Sequence, residues 1–238
     1  QGVQEKSGNS VKQFKENKPG VRPVCFLSAR RARFWRRKNI AFLPMLWYNI
    51  KMKIILASAS PRRKALLGEI TEKFEVVPAR GEEKACGLPP EEAVRKLSFD
   101  KAKEVFAFHG DDLVIGADTV VALDGRIMGK PKDEKQAFEM LSALSGREHD
   151  VYTGVTVMTK DVTVTFAEKS GVLFRRLSDA EIKDYIATGS PMDKAGAYGV
   201  QDSGFVAEVR GSVKNVVGLP VERLANILSQ FGGAYGKL

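Results

Sequence analysis

Cysteine and histidine are nearly absent: the 238 residues hold two of each, Cys25 and Cys86, His109 and His149. So few ligands exclude a disulfide framework, a four-ligand zinc site and histidine-rich metal chemistry. They also leave no credible Ser–His–Asp or Cys–His set for covalent catalysis. A GxxxxGK[ST] loop is missing, which sets aside ordinary P-loop hydrolysis. Long apolar runs are missing too. Ile40–Ile50 is eleven residues and contains Pro44, too short to span a bilayer. Net charge is lacking over most of the chain. Of 38 basic and 29 acidic residues, residues 1–52 carry 12 and 2, leaving 26 and 27 for residues 53–238. The overall excess of +9 therefore describes one tail.

That tail is polar, broken by Pro19, Gly20 and Pro23, and ends in the run Arg30-Arg31-Ala32-Arg33-Phe34-Trp35-Arg36-Arg37-Lys38. Dense like charge without a sustained apolar period predicts a disordered arm. A signal peptide would place its apolar region at Ile40–Trp47 and its cleavage near Ala57-Ser58-Ala59. Lys51 and Lys53 interrupt that pattern, and cleavage there would cut into a motif described below. An Arg-rich transit peptide is a further alternative. Residue 1 is Gln and Met52 directly precedes a strand pattern. Residues 1–51 are accordingly expected to be a dispensable extension or an artefact of the assigned start. With 43% hydrophobic and 28% charged residues the body reads as globular, and without a convincing signal it is expected in the cytoplasm.

From Met52 onward the periodicity is regular. Strands are predicted at Lys53–Ala57, Phe74–Val77, Leu113–Leu123, Val151–Met158, Val162–Phe174, Phe205–Val209 and Val213–Val217, the last two as a hairpin around Arg210-Gly211-Ser212. Helices are predicted at Pro61–Ile70, Pro90–Phe108, Asp133–Leu144, from Ser178 to Gly189, and Val221–Phe231. Ser178 and Glu181 form a capping-box pattern. No repeat occurs. The expected fold is one α/β domain with a mixed sheet, covering residues 52–238.

Four segments stand out chemically. Ser58-Ala59-Ser60-Pro61-Arg62-Arg63 lies at a strand-to-helix junction, with Ser60 as N-cap and Pro61 at the first helical position. Cations are unfavourable in a first turn, so Arg62 and Arg63 make better sense beside a bound anion such as phosphate. A plain capped helix with solvated arginines is the equal alternative. Asp118 interrupts an apolar, β-branched run after Gly116, and burying a carboxylate there needs a task or a partner. Asp118 is a candidate base or metal ligand. Gly129-Lys130-Pro131 presents Lys130 before a helix, and Met192–Gln201 gathers small residues with Lys194, Tyr198 and Gln201. Cations plus carboxylates without a covalent nucleophile suit attack of water on a phosphate anhydride, assisted by Mg²⁺ or Mn²⁺. His149, opening a strand, reads as structural.

SASPRR, GADTVV, GKPKD, LSGREHDVYTGV, PMDKAGAYGVQ and NVVGLP follow one another in the order and spacing of the Maf family of nucleoside triphosphate pyrophosphatases, which Met52–Phe231 resembles throughout. The resemblance implies an α/β fold, mixed sheet flanked by helices, with two lobes around a nucleotide-binding cleft, similar to inosine triphosphate pyrophosphatases. It implies hydrolysis of a nucleoside triphosphate to the monophosphate and pyrophosphate, with a divalent metal, in a homodimer. By the same resemblance Asp118 is the proton acceptor, and Arg62 and Arg63 grip phosphate with Ser58 in the same loop. Lys101 and Lys130 face the triphosphate, and Glu83 is a metal ligand or second carboxylate beside Asp118. Arg62, Thr119 and Gln201 fall at positions linked to base selection, and Lys194 belongs to the substrate loop. GAYGVQ resembles the dTTP and UTP branch, with Tyr198 and Gln201 leaning toward a pyrimidine. House-cleaning of non-standard nucleotides and control of nucleotide pools both fit. Two departures are Asp202 in place of a usual Gly and Ser98 in place of a usual Ala. Other readings stay open: the same reaction on 7-methyl-GTP or another modified nucleotide, a non-catalytic nucleotide-binding regulator of cell division, or RNA or membrane tethering by the basic arm.

Overall fold

Residues 52–81 and 87–231 are described in a computed structural model of the chain. The expected basic arm at residues 1–51 and the candidate acid Glu83 lie outside the described residues. In chain order the elements are β1 (Ile54–Leu56), α1 (Pro61–Gly68), β2 (Glu75–Val76), α2 (Pro90–Phe106), β3 (Leu113–Leu123), β4 (Arg126–Met128), α3 (Glu134–Leu144), β5 (Glu148–Met158), β6 (Thr163–Phe174), α4 (Asp179–Ala187), β7 (Val206–Arg210), α5 (Val213–Val217) and α6 (Val221–Ser229). The strands form one sheet in the order β2-β1-β3-β5-β6-β7, with β4 also on β3. β1 runs parallel to β2 and β3, and the remaining pairs are antiparallel. The sheet is mixed, as the pattern predicts.

Alternation along β3 sorts the core, because successive side chains point to opposite faces. Val114, Gly116 and Asp118 face α2, whose backbone sits so close that a Cβ on Gly116 would come within 2.7 Å of the Ala102 nitrogen. Gly154 on β5, opposite Asp118, is covered the same way by Val94 and Arg95. Two glycines thus let one helix lie directly on the sheet. Ile115 and Ala117 face the other way, into a cluster with Leu66 and Leu67 of α1 and Leu224 and Leu228 of α6. Farther along that face, Val121, Val151 and Val172 pack with Leu141 and Leu144 of α3 and Ile182 of α4. The long strands are shared, while the two clusters make the two lobes. Between them on β3 and β5 stand Thr119 and Thr153, a polar seam.

The helix boundaries have local causes. Ser60, Asp133, Ser178 and Ser212 each accept a backbone N–H three residues on, and the Ser178–Glu181 capping box is complete. One expected strand is overturned. Val213–Val217 is a helix, not the second arm of a hairpin. Its valines suit a strand, but the Ser212 hydroxyl accepts from the Asn215 N–H at 3.2 Å and starts a turn. Asn215 is then fully buried, where its amide meets Ser170 Oγ at 3.0 Å. β5 also begins three residues earlier than expected, because Glu148–Asp150 pair with Gly171–Leu173 of β6. No described helix is long and apolar enough to cross a membrane.

Candidate active site

The site begins with a gap in strand pairing. β1 ends opposite Ile115, with the Ala57 N–H bonded to the Ile115 carbonyl at 2.8 Å. β4 resumes on the same edge of β3 only at Val121. Residues 117–120 therefore have β5 on one side and no described strand on the other. A cleft of about 640 Å³ opens along this edge. At such a gap both faces of the strand reach the same space, so Asp118 and Thr119 line one cleft from opposite sides of the sheet.

Asp118 is 7% exposed and pairs with the ammonium of Lys101, which descends from α2. The close seating of α2 on Gly116 and Gly154 brings Lys101 within reach. A lysine that reads as solvated surface from its helix position is thus part of the cleft floor. On the opposite face, Arg63 donates from Nε to the Gly218 carbonyl at 3.0 Å, from Nη1 to Ser58 Oγ at 3.3 Å and from Nη2 to Thr119 Oγ1 at 2.9 Å. The solvated-arginine alternative is excluded for Arg63. Arg62 and the exposed Lys130 also line the cleft. The α1 N-terminus, capped by Ser60, completes this wall.

The facing wall is the loop from Ser190 to Asp202. Lys194 Nζ donates to the Ser190 carbonyl at 2.6 Å and Oγ at 2.9 Å, and meets Asp193 Oδ1 at 3.0 Å and Asp202 Oδ2 at 3.6 Å. The Lys194 bond holds the Asp193 carboxyl below the usual range. Burial pushes Asp202 up, but the Ser190 hydroxyl and the Lys194 charge outweigh it and hold that carboxyl low as well. Asp202, a departure from the expected glycine, is therefore an anchor of the loop. Gln201 is exposed and lines the cleft. Tyr198 touches the cleft, but its hydroxyl is taken by His149 Nε2 at 2.7 Å. Its ring packs edge-on against Phe174 at 4.7 Å. Its hydroxyl is committed to the core.

Ser58, Arg62, Arg63, Lys101, Asp118, Thr119, Lys130, Lys194 and Gln201 all line one cleft. Sequence reasoning assigned no part to Thr153, Asn215 and the Gly218 carbonyl, which stand directly behind Arg63 and Thr119. The only available signal was their place in the motifs YTGV and NVVGLP. Among the described residues no group of three or more acids, histidines or cysteines is spaced to hold a metal ion. The buried Asp118 carboxylate, opening on a cleft lined by cations, nevertheless has the chemistry to hold a hard cation, since Mg²⁺ is commonly bound by one or two carboxylates together with substrate phosphates.

The family described as Maf-like protein matches residues 53–231. The dTTP/UTP pyrophosphatase of Carboxydothermus hydrogenoformans is 49% identical over 185 residues, covering 76% of this chain and 100% of that protein. The dTTP/UTP pyrophosphatase of Bacillus cytotoxicus is 50% identical over 182 residues, covering 75% and 95%. Among solved structures, the Staphylococcus aureus Ham1 protein aligns with 76% of this chain and 100% of its own, at 14% identity and a TM-score of 0.45. With three quarters of its length matched, by sequence motifs that converge on one cleft, the chain belongs to the Maf family.

Proposed function

We propose that this protein hydrolyses dTTP and UTP to the nucleoside monophosphate and pyrophosphate, by attack of water on the α-phosphorus. The observation that carries the reading is the gap at residues 117–120, where Asp118 meets a cleft ringed by Arg62, Arg63, Lys101 and Lys130. A triphosphate brings several negative charges, and four cations from α1, α2 and the Gly129–Pro131 turn match them. Catalysis of this kind needs positioning and charge neutralisation more than a covalent step.

In this mechanism Asp118 takes a proton from the attacking water. Lys101 pairs with Asp118 before the nucleotide arrives, and phosphate oxygens then compete for its ammonium and leave the carboxylate facing the water. Arg63 and Ser58 meet the phosphates at the α1 N-terminus, where backbone N–H groups favour anions. Arg62 and Lys130 close over them. Gln201, with its amide at the cleft edge, reads the pyrimidine edge, while Lys194 shapes the loop that presents it. A divalent cation held by Asp118 and Glu83 would supply charge neutralisation at the phosphates. The enzyme is read as a cytoplasmic homodimer acting on free nucleotides.

The test is pyrophosphate release with Mg²⁺ or Mn²⁺ across dTTP, UTP, CTP, 7-methyl-GTP and ITP, beside Asp118→Asn. Turnover of dTTP and UTP is expected, falling about 10²- to 10⁴-fold in the variant, the range for loss of a positioned general base. Preference for another base would keep the chemistry and refute the assignment of Gln201. A folded protein that binds nucleotide without turnover would be a regulator instead of an enzyme.

A further inference from the structure

Behind the cleft, four residues far apart in sequence form one hydrogen-bonded line. Arg63 Nη2 donates to Thr119 Oγ1 at 2.9 Å. Thr119 Oγ1 lies 3.0 Å from Thr153 Oγ1. Thr153 Oγ1 lies 2.9 Å from the Asn215 carbonyl oxygen. The direction of every bond follows from elementary chemistry. A carbonyl only accepts, so the single Thr153 hydroxyl proton goes to Asn215. Thr153 can then only accept from Thr119, which spends its own proton there. Thr119 is left with lone pairs for Arg63, a donor at every nitrogen. The line runs one way, Arg63 to Thr119 to Thr153 to Asn215, and such chains polarise one another.

Its far end is fixed. Thr153 and Asn215 are fully buried, and the Asn215 amide donates to Ser170 Oγ at 3.0 Å. The α5 helix carrying Asn215 also brings the Gly218 carbonyl to Arg63 Nε at 3.0 Å. Gly218 has φ +131°, a conformation that favours glycine. Two bonds traceable to α5 thus hold the guanidinium from behind, in the polar seam between the two hydrophobic clusters.

Resting on the reading of the cleft as a nucleotide site, we propose that Thr153 is a positioning residue that fixes Arg63 through Thr119, and that Thr119 acts through Arg63 instead of donating to the nucleobase. With its proton committed to Thr153, Thr119 has no hydrogen to offer a base. The NVVGLP and YTGV motifs then have one role in common, the aim of Arg63.

The experiment compares Thr153→Val, Thr153→Ser, Thr119→Val and the double valine variant, each checked for folding by circular dichroism and thermal melting. Thr153→Val is expected to lower kcat/KM for dTTP and UTP by roughly 10- to 100-fold, the scale of a misplaced catalytic contact. The loss should fall mainly on kcat and leave the dTTP-to-CTP ratio unchanged. Thr153→Ser restores activity, and the double variant is no worse than Thr119→Val. A second readout needs no turnover: the Arg63 Nη–H resonances, assigned by their loss in Arg63→Lys, exchange slowly with solvent in the wild type and in Thr153→Ser, and fast in Thr153→Val. If Thr153→Val does not fold, Thr119→Val gives the same two readouts at the cleft end of the line. Unchanged exchange and unchanged kcat in a folded Thr153→Val protein would overturn the proposal. So would a Thr119→Val enzyme whose dTTP-to-CTP ratio shifts while kcat stays. A wild-type protein inactive on every triphosphate refutes the functional reading alone, since the exchange measurement still decides the positioning role.

Discussion

His149 shows how much one residue depends on its surroundings. It is 3% exposed, hydrogen-bonded to Tyr198 and packed edge-on against Phe174 at 4.9 Å. Burial lowers its pKa from 6.5 to about 4, against smaller opposing effects of Asp150 and the backbone at Arg147. The folded protein therefore holds the ring neutral where an unfolded chain would protonate it. Its contribution to stability is complete above pH 6.5, is lost as pH falls from 6.5 toward 4, and changes no further below that. Over this window the loss is about 1.4 kcal/mol per pH unit for a single group. Urea midpoints between pH 7 and pH 4.5 should drop more steeply in the wild type than in His149→Phe, and parallel slopes would refute the assignment. The structural character of His149 was legible from its place at a strand start, but its partner was not. Tyr198 is 49 residues away, and nothing in GAYGVQ distinguishes a tyrosine that faces a ligand from one that faces the core.

Elements show the same division. The Ser178–Glu181 capping box is a short-range pattern, and it forms as read. Ser178→Ala is expected to cost about 1 kcal/mol, the usual loss for a removed N-cap, measurable as a lower urea midpoint with activity kept. The seating of α2 is of another kind. A Cβ on Gly154 would run into the Val94 carbonyl and come within 2.9 Å of the Arg95 nitrogen. Backbone cannot yield as a side-chain tip does. Gly154→Ala should therefore cost about 1–3 kcal/mol or more through overpacking. It should also lower activity, because lifting α2 draws Lys101 away from Asp118. A variant as stable and active as the wild type would show that α2 does not need this contact. Gly116 stood out in the sequence as a glycine near Asp118 in an apolar strand, whereas Gly154 had no such mark. Val213–Val217 went wrong because β-branched residues favour strands only where a neighbouring strand awaits. Here Ser212 and the buried Asn215 favour a turn of helix instead.

At the scale of the whole molecule, residues 52–81 and 87–231 supply the hydrophobic clusters and the residues seen to line the cleft. The family match begins at residue 53, and the Carboxydothermus relative is matched over its full length by three quarters of this chain. A protein beginning at Met52 is therefore expected to keep the turnover and melting temperature of the full chain, and loss of either would give residues 1–51 a role in the fold or reaction. The sequence by itself determined the punctuation of the chain, the mixed α/β class and the motifs that mark the family. These are carried by near neighbours: alternation within strands, caps three residues apart, glycine at turns. Only the tertiary structure decided that β3 has a gap in its pairing at residues 117–120, that Lys101 falls on Asp118, and that Tyr198 turns inward. It alone aligned residues 63, 119, 153 and 215 into one hydrogen-bonded line. Contacts over such separations depend on strand register and helix seating, which are set by the packing of the whole core and have no local signature.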